Sequence, residues 1–183
     1  QLFVLAPDGT VLHCLPGFWA ATDLVQELQL GEQLYKVWKD PKLTRGQKNQ
    51  MFSRMQMSHI AEHPPDMVRR SRMQGFDQKF EAKNRPYTSD TVRNAQLAVQ
   101  ALQQNDNRLL NQAFKTTDQI AHERMAQRPF QPYKQFDVAA YTDYGKQRYE
   151  KNEDFRNMNG QIVMDPKTGQ AVTPKPMGKS MGG

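Results

Sequence analysis

Apolar positions crowd the stretch before Trp38 and thin out after Tyr133. Leu2-Phe3-Val4-Leu5 is a short, unbroken apolar run, the pattern of a strand buried on both faces. Pro7-Asp8-Gly9 follows with turn chemistry: Pro fixes φ, Asp bonds to its own backbone, and Gly accepts a positive φ. Val11 to Leu15 then reads as the returning strand, closed by Pro16-Gly17. Two antiparallel strands are therefore predicted, over about 2–6 and 10–15. From Thr22 the period becomes helical, and Leu24, Val25, Leu28, Tyr35 and Trp38 can share one apolar stripe. Thr22 is the expected N-cap, and Asp23 sits in the first turn, where the helix dipole favours an anion.

The rest of the chain reads as shorter helices between breaks. Asp40-Pro41 ends the first helix. Thr44-Arg45-Gly46-Gln47 has the form of a capping box, and its helix is expected to run to about Glu62 with Met51, Phe52, Met55 and His59 inward. Pro64-Pro65 stops it. A helix from Asp66 carries Met73, Phe76 and Phe80 at spacings of three and four, with Gly75 inside it as a weak point. Ser89 or Asp90 can cap a helix bearing Val92, Ala95, Val99 and Leu102, and Asn105-Asp106-Asn107 reads as a loop. Thr116 to Gln119 repeats the capping-box pattern before Ile120 and Met125. Arg128 to Pro132 is expected to be extended. Tyr141, Tyr144 and Tyr149 show no period. Beyond them a proline- and glycine-bearing tail is expected to be disordered, with residues 160–173 able to form an isolated hairpin.

Composition narrows the picture. Over 183 residues the chain is only 37% hydrophobic, with a mean hydropathy of −0.85, which suits one modest core with a polar helical extension. No apolar run reaches the roughly 18–20 residues that span a bilayer. The formal charge of +6 favours acidic surfaces only loosely. Arg54, Arg69, Arg70, Arg72, Lys79 and Lys83 form the densest basic region. Asp66, Asp77 and Glu81 dilute it, so it reads as a solvated helix face and not as a nucleic-acid site.

Two groups of residues invite a chemical reading. His59-Ile60-Ala61-Glu62-His63 spells H-x-x-E-H, which on a helix places two imidazoles at i,i+4 to share a metal, with Glu62 as general base. Such a site needs a third protein ligand, for which the His122-Glu123 pair is the one tempting donor. Pro64-Pro65 puts the motif at a fraying helix end, so the expectation is two partly exposed histidines at the helix C-terminus that bind no zinc. Cys14 is the only thiol. It is expected to be a buried strand residue, turned away from His13 by the alternation of the strand. No residue is thus assigned a catalytic, cofactor-binding or metal-ligating role, and no cofactor is expected.

The run "FVLAPDGTVLHCLPGFW…DLVQEL" resembles the last hairpin and last helix of a thioredoxin-like fold, and "SRMQMSHIAEHPPDMVRRSRMQGFDQKFEAKNR" is similar to the long extension of some bacterial thioredoxin-family proteins. Phe3 to Leu5, Asp8-Gly9, Val11 to Leu15, Gly17 and the helix from Thr22 carry the first likeness, over about the first fifth of the chain. The resemblance implies an α+β remnant: residues 1–40 as the end of a thioredoxin-like domain, 41–128 as a mainly α-helical extension, and 129–183 as an extended or disordered tail. It also implies that the C-x-x-C of such a protein would precede Gln1, leaving this chain without a redox site of its own. The alternative is a non-catalytic module that binds protein partners through its basic, Met- and Phe-bearing helices.

Overall fold

Two antiparallel strands and eight helices make up the described part of the chain, an α+β arrangement dominated by helix. This computed structural model describes residues 1–17, 19–146, 163 and 166. Apart from 163 and 166, the expected tail beyond 146, with Tyr149 and the hairpin over 160–173, lies outside the described residues. One compact unit runs from Gln1 to Gly145. None of its helices is long and apolar enough to cross a membrane.

Strand β1 (Leu2–Leu5) pairs with β2 (Val11–Leu15), with Phe3 opposite Cys14 and Val4 opposite His13. The turn is built as its residues suggest. Gly9 has φ +82, its N–H donates to Ala6 O, and Asp8 Oδ1 accepts from the Thr10 N–H. The burial of β1 departs from the expectation, while that of β2 agrees with the buried Cys14 expected there. β2 is buried at every position, whereas Leu2 and Leu5 of β1 are exposed. β2 is the strand against which α1 (Ala21–Lys39) and α7 (Thr117–Ala126) pack. The segment expected to be extended before Pro132 lies along the turn, its Gln131 carbonyl accepting from the Val11 N–H.

Helix α1 occupies the predicted range, yet its buried face is rotated from the predicted stripe. Asp23, Glu27, Leu30, Gly31, Leu34 and Val37 face inward, while Val25 and Leu28 stand in solvent. The N-cap is Ala20, which makes no side-chain bond, so Thr22 falls inside the helix. Gly31 is where the helix approaches the hairpin: a Cβ there would lie 2.9 Å from Val4 Cγ1.

Helix α2 (Arg45–Glu62) begins at the predicted capping box, with Thr44 and Gln47 satisfying each other's amides. Phe52 turns inward but Met51 does not. The helix expected from Asp66 is two helices, α3 (Pro65–Arg70) and α4 (Gly75–Asn84), so Gly75 opens a helix instead of weakening one. α5 (Ala95–Gln104) is capped by Asn94, not by Ser89 or Asp90. Asn105, left-handed at φ 51, and the Asp106 cap lead into α6 (Asn107–Ala113), a helix hidden in the sequence by the polar residues around it. Thr116 caps α7 as predicted.

The hairpin, α1, α2 and one side of α7 share a core with Phe130, Phe136 and Tyr141. Ile120 of α7 joins a second cluster with Ala82, Ala98, Ala101 and Leu110. α7 thus touches both. The chain after 128 stays folded as far as α8 (Val138–Tyr141). The Tyr141 hydroxyl donates to Cys14 O, and buried Arg124 donates to the carbonyls of Tyr141 and Asp143 while pairing with Asp90.

Candidate metal centre

The chain has four histidines, and all of them converge on one buried carboxylate. Glu27 comes from the middle of α1, where the rotated face aims it inward. His13 comes from β2, His59 and His63 from the end of α2, and His122 from α7. Glu27 Oε1 lies 3.0 Å from His59 Nε2 and 3.1 Å from His63 Nε2. Its Oε2 lies 2.7 Å from His13 Nε2 and 3.2 Å from His122 Nε2. Side-chain exposure is 14% for His59 and at most 1% for the other three and Glu27. The expectation of two partly exposed histidines at a frayed helix end therefore meets a different finding: Pro64-Pro65 turns the chain, and His63, as C-cap of α2, is sealed beneath it.

Hydrogen bonds set the tautomers. His122 Nδ1 lies 2.6 Å from Gln56 Oε1, an atom that can only accept, so Nδ1 carries the proton. The Gln56 Nε2 amide then donates to His13 Nδ1 at 3.4 Å, which leaves His13 Nε2 to donate to Glu27 Oε2 at 2.7 Å. Gln56 reads both imidazoles with one amide. In this chain of bonds His122 Nε2 is turned toward Glu27 Oε2 and Asp118 Oδ1. His122 Nε2 and both ring nitrogens of His63 are buried without a hydrogen-bond partner, and so is Asp118 Oδ1. Buried polar atoms without partners cost roughly 1–3 kcal/mol each. Asp118, one turn before His122 on α7, places Oδ2 against His63 Nδ1 and Oδ1 3.4 Å from His122 Nε2.

The charge states follow from these neighbours. Burial pushes His13 down to about 4, against the pull of Glu27, so it stays neutral. Burial would also raise the Glu27 carboxyl, but the surrounding imidazoles, His122 and His13 foremost, hold it well below the usual carboxylate range. Asp118 is lowered in the same way: burial opposes it, and His122 and His63 win. For His63 burial works downward, yet Asp118 and Glu27 lift it to about 9. His122 is raised by the same two carboxylates against its own burial. His63 and His122, held toward their protonated forms, balance the two buried carboxylates, and a divalent cation would take the place of those protons.

One donor atom each from Glu27, His59, His63 and His122 lies within 4.8 Å of all the others. The sequence motif supplied two of these and named His122 as a third. It missed Glu27, and it gave Glu62 a role beside the ligands where the structure leaves it exposed at the surface. Glu123, its other suggested donor, is taken by Lys115 and Gln119. The signal available for Glu27 was its place at i,i+4 from Asp23, off the apolar stripe.

The other sequence candidates lie apart. Cys14 is fully buried, and burial pushes its thiol up to about 12. Half of the basic region is taken up in pairs: Arg70 binds Asp23, Arg69 binds Asp66, and Lys79 donates to Asn105. No protein-family model, curated protein or solved structure matches this chain.

Proposed function

We propose that this protein binds one divalent transition-metal cation of the zinc class through His59, His63, His122 and Glu27. The observation that carries the reading is the convergence of four donor atoms, one each from Glu27, His59, His63 and His122, within 4.8 Å of one another, with three of the four residues buried. Glu27 Oε1 lies 3.0 Å from His59 Nε2 and 3.1 Å from His63 Nε2, close to the edge of about 3.3 Å that a tetrahedron with bonds near 2.0–2.1 Å requires, and the wider separations, up to 4.8 Å, would close on binding. Three imidazoles and one carboxylate form a borderline donor set, suited to Zn²⁺ and its first-row neighbours and not to Cu(I). The double negative charge of Glu27 and Asp118 matches a divalent cation. Asp118 behind His63 and Gln56 behind His122 would orient the ligands, as outer-shell partners do in metal sites. The ligands come from α1, α2 and α7, so the cation would also join the helices around β2.

This reading replaces the expectation that His59 and His63 hold no zinc. Metal analysis of the purified, dialysed chain should give near one zinc per chain. Glu27→Ala and His122→Ala should each reduce that to background. Substoichiometric metal that neither substitution changes would overturn the reading.

A second reading concerns ancestry and not chemistry. The hairpin with its Gly9 turn, Gly17 at φ +77 and a helix folding back on the strands are in the order expected of a thioredoxin-like C-terminal segment. That order is what favours it. Any dithiol exchange would need a second thiol beside Cys14, which this chain lacks.

A further inference from the structure

Resting on that metal reading, we propose that the cation offers an exchangeable position on its His59 side and takes there a small oxyanion, a carboxylate or a phosphate. The four ligands are not equally enclosed. His59 keeps 14% of its side chain exposed, against none for Glu27 and His122 and 1% for His63. It forms part of the wall of an open cleft whose floor is Leu30 and Met55 and whose polar rim is Gln33, Arg54, Ser58 and Glu62.

The rim is chemically uncommitted. The Arg54 and Glu62 side chains make no hydrogen bond or ion pair among the described residues. Arg54, Ser58 and Glu62 follow one another at i,i+4 along α2, beside the row that carries Met55 and His59. A guanidinium at the mouth of a cleft that ends on a metal ligand is suited to a carboxylate or phosphate, which it can hold bidentately.

The far side of the centre is shut. Glu27 Oε2 is held by His13, so the carboxylate is presented through Oε1 alone. Four protein donors then leave room for a fifth, since zinc expands from four to five ligands. The cleft is where that fifth ligand has a path.

The test is the visible spectrum of the full chain loaded with Co²⁺, titrated separately with sodium acetate and sodium phosphate at ionic strength fixed with perchlorate. The proposal expects a saturable change in the cobalt bands with at least one of the two, and the stronger of them identifies the preferred oxyanion. Arg54→Gln should weaken that apparent affinity at least fivefold while still binding one Co²⁺ per chain. A bound Co²⁺ whose spectrum ignores both anions would overturn the proposal and leave a closed metal site. So would an unchanged affinity in Arg54→Gln. Failure to bind Co²⁺ at all would remove the metal reading together with it.

Discussion

Glu27 is a charged residue at zero exposure, and a charge so placed persists only if its surroundings are built for it. Its surroundings are four imidazoles, and their orientation depends on an uncharged residue, Gln56. The amide fixes His122 by its oxygen and His13 by its nitrogen, which leaves His122 Nε2 turned toward the centre. Gln56→Leu keeps the volume and removes both bonds. The expected cost is about 2–6 kcal/mol of stability, from two buried ring nitrogens left unpaired. Zinc affinity should fall about 10–100-fold because the His122 ring is no longer held. Urea unfolding and a competitive zinc titration measure the two effects. A variant as stable as the parent, with unchanged affinity, would show that the amide orients nothing. At this scale the sequence was legible only where it carried a motif. H-x-x-E-H marked His59 and His63, but nothing local ties His13 or Glu27 to them, since strand and helix meet only in the folded chain.

The elements show why. The hairpin, α1, the capping box of α2 and the start of α7 were all readable, because turn residues, periodicity and caps are local signals. The face of α1 was not. An apolar stripe through Leu24, Val25 and Leu28 predicts one burial, whereas Glu27 turns inward to the histidines and Asp23 to Arg70, leaving Val25 exposed. A buried polar site overrides the hydrophobic pattern of the helix that serves it. The same rotation brings Gly31 onto Val4. Helix propensity alone would make Gly31→Ala stabilising by about 1 kcal/mol. The Cβ would meet the stiff valine side chain at 2.9 Å, so the net effect should be destabilising by about 1–2 kcal/mol. Gly46→Ala, whose Cβ meets nothing within 4 Å, is the control and should be neutral or stabilising. Denaturant midpoints at constant m-value decide it, and a stabilised Gly31→Ala would mean that α1 does not sit this close to β1.

For the whole molecule, the low hydrophobic content expected from composition is balanced by polar order in the interior. Arg124 ties Asp90 to the carbonyls of α8 and the residues after it, Arg85 bridges Glu81 and Asp143, and the histidine cluster lies between β2, α1, α2 and α7. The segment from 129 to 145, expected to be loose, is fastened by these groups and by Tyr141. None of this was legible, because every one of these contacts joins residues distant in the chain or depends on the final face of a helix. A metal at the centre would link the hairpin helix, the long second helix and the core helix α7 in one step, making its binding part of folding. X-ray absorption at the zinc edge of the fully loaded chain tests that claim most directly. The account predicts four or five nitrogen and oxygen neighbours, with bonds near about 2.0–2.1 Å. It also predicts outer-shell scattering from three imidazoles and no sulfur. A shell at about 2.3 Å from thiolate, or a spectrum of hydrated zinc without imidazole scattering, would contradict it.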